Sequence, residues 1–384
     1  MKKVSFIVRE IAGSFGDLPL FFIFVVGLVQ LLNFNIASIL FWSGLAHVLI
    51  GIIFKIPLPL QPMKAMGLYM MTFGLSQSEF LTAGFCLGLI LLILSLSGAI
   101  KKLYQFIPEV VIHGIQVGLG LLFIKKAYEL ISFETSVFYS HSLLLLVLIG
   151  ILFLFFKKYS YLLILSIFAI GFFTLFQQNL FQGAHIGFSV DFLKNHFGEF
   201  SFSSTVLLLI LMQLPLTVTN SIFSPTNLIR DYFPKQKISE TKIGLSLSLV
   251  NLLTCPFGAM PQCHGAGGLA AQVSFGARSG LSIIFLGCLK IVAALFFATL
   301  FFNIAKNFPR ELLGLLFIFP AADLVARIRG VKVLEIPVLL ATVVAFLFLN
   351  AAWALGIGGG IYFLLSSLRG RFLRTVKYGT TFSR

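Results

Sequence analysis

Charge is scarce in this 384-residue chain: 11% of its residues are Asp, Glu, Lys or Arg, and only 13 are acidic. A soluble domain carries roughly a quarter charged residues, so that class is excluded. Cysteine is scarce too. Cys86, Cys255, Cys263 and Cys288 lie in or beside apolar stretches with no paired spacing, which excludes a disulfide framework and a zinc site. Strict polar–apolar alternation is absent from runs such as Phe21–Leu32, Leu143–Phe156 and Ile283–Phe302. An outer-membrane barrel is thereby excluded, and helices are what remains in lipid. The chain has no ATP-binding motif, which argues against primary pumping. Its basic start, MKKVSFIVRE, is followed by no small-residue cleavage site, and the next apolar run carries Asp17 and Pro19. We read that run as a retained first helix.

What is abundant is apolar. With 58% hydrophobic residues, 45 Phe and a mean hydropathy of +1.02, the chain reads as an all-α polytopic membrane protein. About fourteen segments are expected, near 13–32, 36–54, 62–75, 80–99, 107–124, 141–156, 160–176, 203–223, 242–254, 264–274, 281–303, 310–326, 336–350 and 352–368. The third and tenth are too short to cross the hydrocarbon at about 1.5 Å per residue. Pro320, Asp323 and Arg327 interrupt the twelfth.

Sorting the basic residues by side, with a cytoplasmic N-terminus, puts 21 of 28 inside and 5 outside. That is the positive-inside pattern, and it accounts for the net charge of +15 with no nucleic-acid partner. A multi-pass protein of the cell membrane with both termini cytoplasmic is the expected topology.

The two halves echo each other. FGDLPLF (15–21) and PLQPMKAMG (59–67) in the first correspond to QLPLTVTN (213–220) and MPQCHGAGG (260–268) in the second. Seven crossings per half is an odd number, so the halves are expected to be inverted: residues 1–200 as the first repeat, 201–368 as the second, and 369–384 as a short basic tail. Such repeats place a substrate near the midplane, between interrupted helices. Helices starting after Pro62 and near His264 leave N–H groups without internal acceptors. Each start carries about half a positive charge, so two facing starts form an anion site. Gly265, Gly267 and Gly268 would let an oxyanion approach the main chain, and Lys64 would add a formal charge. Two bland alternatives stay open: a Lys64 that pairs with Asp17 or snorkels, and glycines that serve helix packing.

At these residues the chain resembles the molybdate transporter family, within the wider sulfate-permease and nucleobase-transporter fold group. The stretches carrying the resemblance are FGDLPLF (15–21), PLQPMKA (59–65) and GAMPQCHGAGGLAAQVSFGARSG (258–280). It implies a seven-plus-seven inverted repeat, with a core of segments 1–4 and 8–11 moving against a gate of segments 5–7 and 12–14. The motifs point to Asp17 and Pro19, to Gln61, Pro62, Met63 and Lys64, and to Gln262, Cys263, His264, Gly265, Gly267 and Gly268. The amides of Gln61 and Gln262, the Lys64 charge and the main-chain N–H groups suit a tetrahedral dianion. Thr217 and Asn220 are candidates to complete the pocket. No large regulatory domain of the kind that often follows sulfate permeases is expected.

The expected function is secondary transport of molybdate by alternating access. Asp17 and His264 are the candidates for proton co-transport. His47, His113 and Lys290 are expected to be structural, and Glu109 a first-turn helix charge. Tungstate and sulfate are tetrahedral dianions too and remain alternatives, as do bicarbonate or a nucleobase on the same fold. A nucleobase carrier would want an acid on segment eight or ten, and neither has one. Enzyme chemistry is not expected, because adjacent Cys263 and His264 on a helix point about 100° apart. No cofactor is expected, and the sequence leaves a homodimer open.

Overall fold

The structure is a computed structural model that describes residues 2–16, 18–106, 108–131, 187–193, 196 and 199–379. Asp17, segments six and seven and residues 380–384 lie outside the described residues. Regular structure is almost wholly helical, as the composition requires. The order in the first part is α1 (Lys2–Ser14), α2 (Leu18–Leu32), α3 (Ile36–Phe54), β1 (Gln61–Pro62), α4 (Lys64–Phe73), α5 (Gln77–Leu96), α6 (Ala99–Phe106) and α7 (Glu109–Ile131). Then come α8 (Ser204–Leu216), α9 (Ser224–Tyr232), α10 (Glu240–Thr254), β2 (Gln262–Cys263), α11 (Ala266–Ser274), α12 (Leu281–Phe296), α13 (Ala298–Asn307), α14 (Arg310–Val325), α15 (Ile336–Phe348) and α16 (Ala351–Gly379).

Local chemistry explains several boundaries. Asn35 starts α3 by accepting from the N–H groups of Ala37 and Ser38, and Lys55 ends it in the left-handed region at φ 57°. Ser76 and Glu79 form a reciprocal capping box at α5, the arrangement that satisfies two orphan donors at once. Glu79 also accepts from Ser203 Oγ at 2.8 Å, tying the start of α5 to the residue that caps α8.

Among the described residues, five stretches are long and apolar enough to cross a membrane: Phe6–Leu32, Ile36–Phe54, Gln77–Leu96, Glu109–Ile131 and Ser204–Tyr232. Segment eleven, expected as one helix over 281–303, is instead α12 and α13, bent by 94°. The carbonyls of Leu295 and Phe296, near the end of α12, accept from the N–H groups of Ser189 (2.9 Å) and Gly187 (3.3 Å). These bonds come from a distant part of the chain and end the helix there. Segment eight runs beyond its expected end. After Pro215, which has no N–H to give, a π-helical stretch at Thr217–Phe223 leads directly into α9.

Three helix pairs organise the packing: α3 with α12, α5 with α10, and α7 with α14. At the α3–α12 crossing a Cβ on Gly44 would lie 2.7 Å from the Gly287 carbonyl oxygen, and one on Gly287 would lie 2.6 Å from that of Gly44. The two backbones touch, which small residues alone permit. At the centre β1 and β2 pair antiparallel, Gln61 opposite Cys263 and Pro62 opposite Gln262. This bridge positions everything that follows.

Candidate functional site

The bridge brings together two residues from each half, and a short helix leaves each side of it. Met63 precedes α4 and Gly265 precedes α11, and neither gives its helix a side-chain cap. First-turn N–H groups have no acceptor within a helix. One is met from outside: Met66 N–H donates to Gln213 Oε1 at 3.2 Å. The backbone of Met63 itself is engaged, donating to the Pro261 carbonyl at 3.0 Å.

A cavity of about 110 Å³ opens where the two helices begin. Clefts for drug-sized molecules run roughly 300–1,000 Å³, so this one fits a small ion. Gln61, Lys64, Cys263, Gly265, Gly267 and Asn220 line it, six residues that the sequence motifs singled out. Asn220 and Ser221 of the π-helical turn, and Ser224 at the start of α9, face the same space as Gln213 on α8. Such turns recur at functional sites. Among the described residues, Lys64 is the single charged residue on the lining and no acid lines it.

The other predicted residues are brought near but do not line the cavity. Pro62 sits in the bridge, where its carbonyl faces Cys263 Sγ at 3.8 Å. Thr217 is buried and accepts from Gln213 Nε2 at 3.1 Å. Gly268 is buried in the first turn of α11. The Gln262 peptide is clamped by Asn251 of α10: its N–H donates to Asn251 Oδ1 at 2.8 Å, and its carbonyl accepts from Asn251 Nδ2 at 2.9 Å. The Gln262 side-chain amide is fully buried and finds no hydrogen-bond partner among the described residues. His264 turns away from the cavity. Its Nδ1 donates to the Pro59 carbonyl at 2.9 Å, and its Nε2 lies 2.8 Å from Ser246 Oγ. Lys290, expected to be structural, is buried in α12 with its ammonium 3.3 Å from the centre of the Phe21 ring.

Sequence reasoning missed Gln116 on α7, Gln213, Ser221, Ser224 and the clamp Asn251. A signal existed for the amides, each a polar group in an apolar segment, where leaving it unpaired is costly. Gln116 Oε1 is buried without a partner among the described residues and lines the cavity.

Gly265 is required by space. A Cβ there would run into the Gln61 side-chain amide, whereas one on Gly267 would meet nothing within 4 Å.

A profile described as "Molybdate transporter of MFS superfamily" matches residues 9–123 and 205–324. The chain belongs to the molybdate transporter family. It is therefore a multi-pass membrane transporter and not an enzyme. Molybdate transporter 2 of Arabidopsis thaliana is 31% identical to it, over 94% of this chain and 87% of the relative. Molybdate transporter 1 of the same plant is 29% identical, over 84% and 80%. Two solved structures share the fold of this family member at low identity. The transmembrane domain of BicA, a cyanobacterial bicarbonate transporter, matches with TM-score 0.64 at 15% identity, over 90% of this chain and 96% of that one. The anion transporter Slc26a9 of mouse, in an inward-facing state, matches with TM-score 0.65 at 12% identity, over 95% and 68%. The profile's description names the MFS superfamily, whereas the likeness in fold is to these two transporters.

Proposed function

We propose that this chain is a secondary active transporter of molybdate, holding the oxyanion between the N-termini of α4 and α11. The observation that carries this reading is the cavity itself: two helix starts without side-chain caps converge on it, together with Lys64 and no acid among the described residues. Two helix ends supply about half a positive charge each and Lys64 a whole one, roughly two in total. That balances a dianion. Amides and hydroxyls of Gln61, Gln116, Asn220, Ser221 and Ser224 then supply directional partners for its oxygens. The names of the plant relatives point to molybdate, and both fold neighbours carry anions. Tungstate and sulfate have the same shape and charge and are the nearest alternatives.

The reading includes a seven-plus-seven inverted repeat, residues 1–200 and 201–368, with α4 and α11 as interrupted helices meeting inside the membrane. Packing supports it, because exchanging equivalent segments of the two halves turns the α3–α12 pair into the α10–α5 pair and maps α7–α14 and β1–β2 onto themselves. Transport would proceed by alternating access of core against gate, with both termini in the cytoplasm of a cell membrane. For proton co-transport, both ring nitrogens of His264 are committed to Ser246 and Pro59, so Asp17 is the carrier we favour.

Uptake of labelled molybdate into proteoliposomes tests the reading, with sulfate and tungstate as competitors and with an imposed pH gradient. Saturable uptake that resists excess sulfate is the expected result. No uptake under any imposed gradient by folded, oriented protein would remove molybdate as the substrate. Uptake indifferent to a pH gradient, or unchanged in Asp17→Asn, would remove proton coupling alone.

A further inference from the structure

A second cavity runs along α10. It is an open groove of about 670 Å³ between α3 and α10. Leu49 and Ile53 from α3, and Leu249 and Leu253 from α10, line it while standing roughly half exposed or more. One end is different. Lys237 and Lys242 line the groove where α10 begins, both exposed, and no acidic side chain lines it anywhere among the described residues. At the other end the rings of Trp42 and Phe257 stack at 4.4 Å and close it.

The dimensions and the charge together specify an occupant. From Lys242 to Thr254 the groove follows α10 for about 18 Å at 1.5 Å per residue. One leaflet of hydrocarbon is about 15 Å deep, half of a 30 Å core. An apolar channel one leaflet long, closed at its inner end and basic at its outer end, matches an acyl chain with a phosphate above it. Lysines at a membrane surface attract anionic headgroups.

We propose that this groove is a binding site for an anionic phospholipid, its phosphate on Lys237 and Lys242 and one acyl chain between α3 and α10. The site also reaches the machinery at the bridge. Ser246 and Phe54 line the groove, and these two residues hold His264, by the 2.8 Å contact to Nε2 and by an edge-on ring contact at 6.3 Å. A bound chain therefore packs against the wall that supports β2.

The test uses the whole protein in phosphatidylcholine vesicles with a trace of phosphatidylglycerol or phosphatidylcholine spin-labelled deep in the acyl chain. The expected result is a severalfold larger immobilised fraction for phosphatidylglycerol. K237Q/K242Q should abolish that preference while leaving the phosphatidylcholine fraction unchanged, and Leu249→Trp should lower the phosphatidylglycerol fraction with both lysines in place. Inorganic phosphate should not displace the lipid. Equal fractions for the two lipids, or a preference that survives both variants, would overturn the proposal. So would displacement by phosphate, which would mark a soluble-anion site, or cross-linking between two copies of Leu249→Cys, which would give the groove to a second protein molecule. None of these readouts depends on which anion is transported.

Discussion

The two edges of the central bridge build the same kind of helix start by opposite chemistry. On the β1 side a side chain supplies the charge, Lys64, and Gln61 reaches over the bridge. On the β2 side the side chains of Gln262 and His264 are turned into the scaffold, and glycine leaves the main chain bare. In the proposed anion site the two edges therefore divide the work, one giving charge and the other giving access.

The sharpest way to break this division is at Gly265. Gly265→Ala sets a methyl against the Gln61 amide; overpacking of this kind costs about 1–3 kcal/mol, and we expect molybdate uptake to fall about 100-fold in protein that still elutes as a single folded species. Gly267→Ala is the control. Its methyl enters open space, so uptake should change by less than about tenfold, the equivalent of 1.4 kcal/mol. Between these extremes lies Lys64→Gln, which removes about half of the local positive charge. Its apparent KM for molybdate should rise by roughly 10- to 100-fold, as loss of a charge-assisted contact of about 1.5–3 kcal/mol implies, with Lys64→Arg recovering part of it.

The β2 edge can be weakened from behind. Asn251→Ala deletes both bonds to the Gln262 peptide and leaves a buried N–H and carbonyl without them, at about 1–3 kcal/mol for each orphaned group. Its melting temperature should fall while the Lys64 edge keeps its charge, so KM should move less than in Lys64→Gln.

The smallest effect is expected far from the bridge, at Glu240. Burial raises this carboxyl, but its own N–H, Arg230 at 2.6 Å and Lys101 at 3.9 Å outweigh burial and hold it below its ordinary value of 4.5. A depressed carboxylate stabilises the fold above its unfolded pKa, and that contribution is lost as pH falls through the folded value. Glu240→Gln should therefore lower the melting temperature slightly at neutral pH, and the difference from wild type should shrink below the ordinary value of 4.5 and vanish below the folded value.

Much of this is legible in the sequence where local chemistry decides. Segment two is expected at 36–54 and α3 occupies that span, because an Asn cap and a left-handed lysine are local signals. The bridge region is legible from its prolines and glycines. The break between α12 and α13 is not, since it is made by N–H groups from a distant part of the chain. Nor is the direction of His264, because a ring that could face substrate or scaffold carries no mark of which, and Ser246 and Pro59 decide it. Gln116 and Gln213 are visible as amides in apolar segments, but only the fold brings α7 and α8 to the same space.

The bridge has one more consequence. It is two residues long on each side and includes Pro62, which cannot extend a ladder, so it works as a gauge block set between the two positive ends. Main-chain bonds fix that opening. In the proposed site, a change in the size of anion accepted would therefore come from the side chains of the surrounding wall, Gln116, Asn220, Ser221 and Ser224, and not from the bridge.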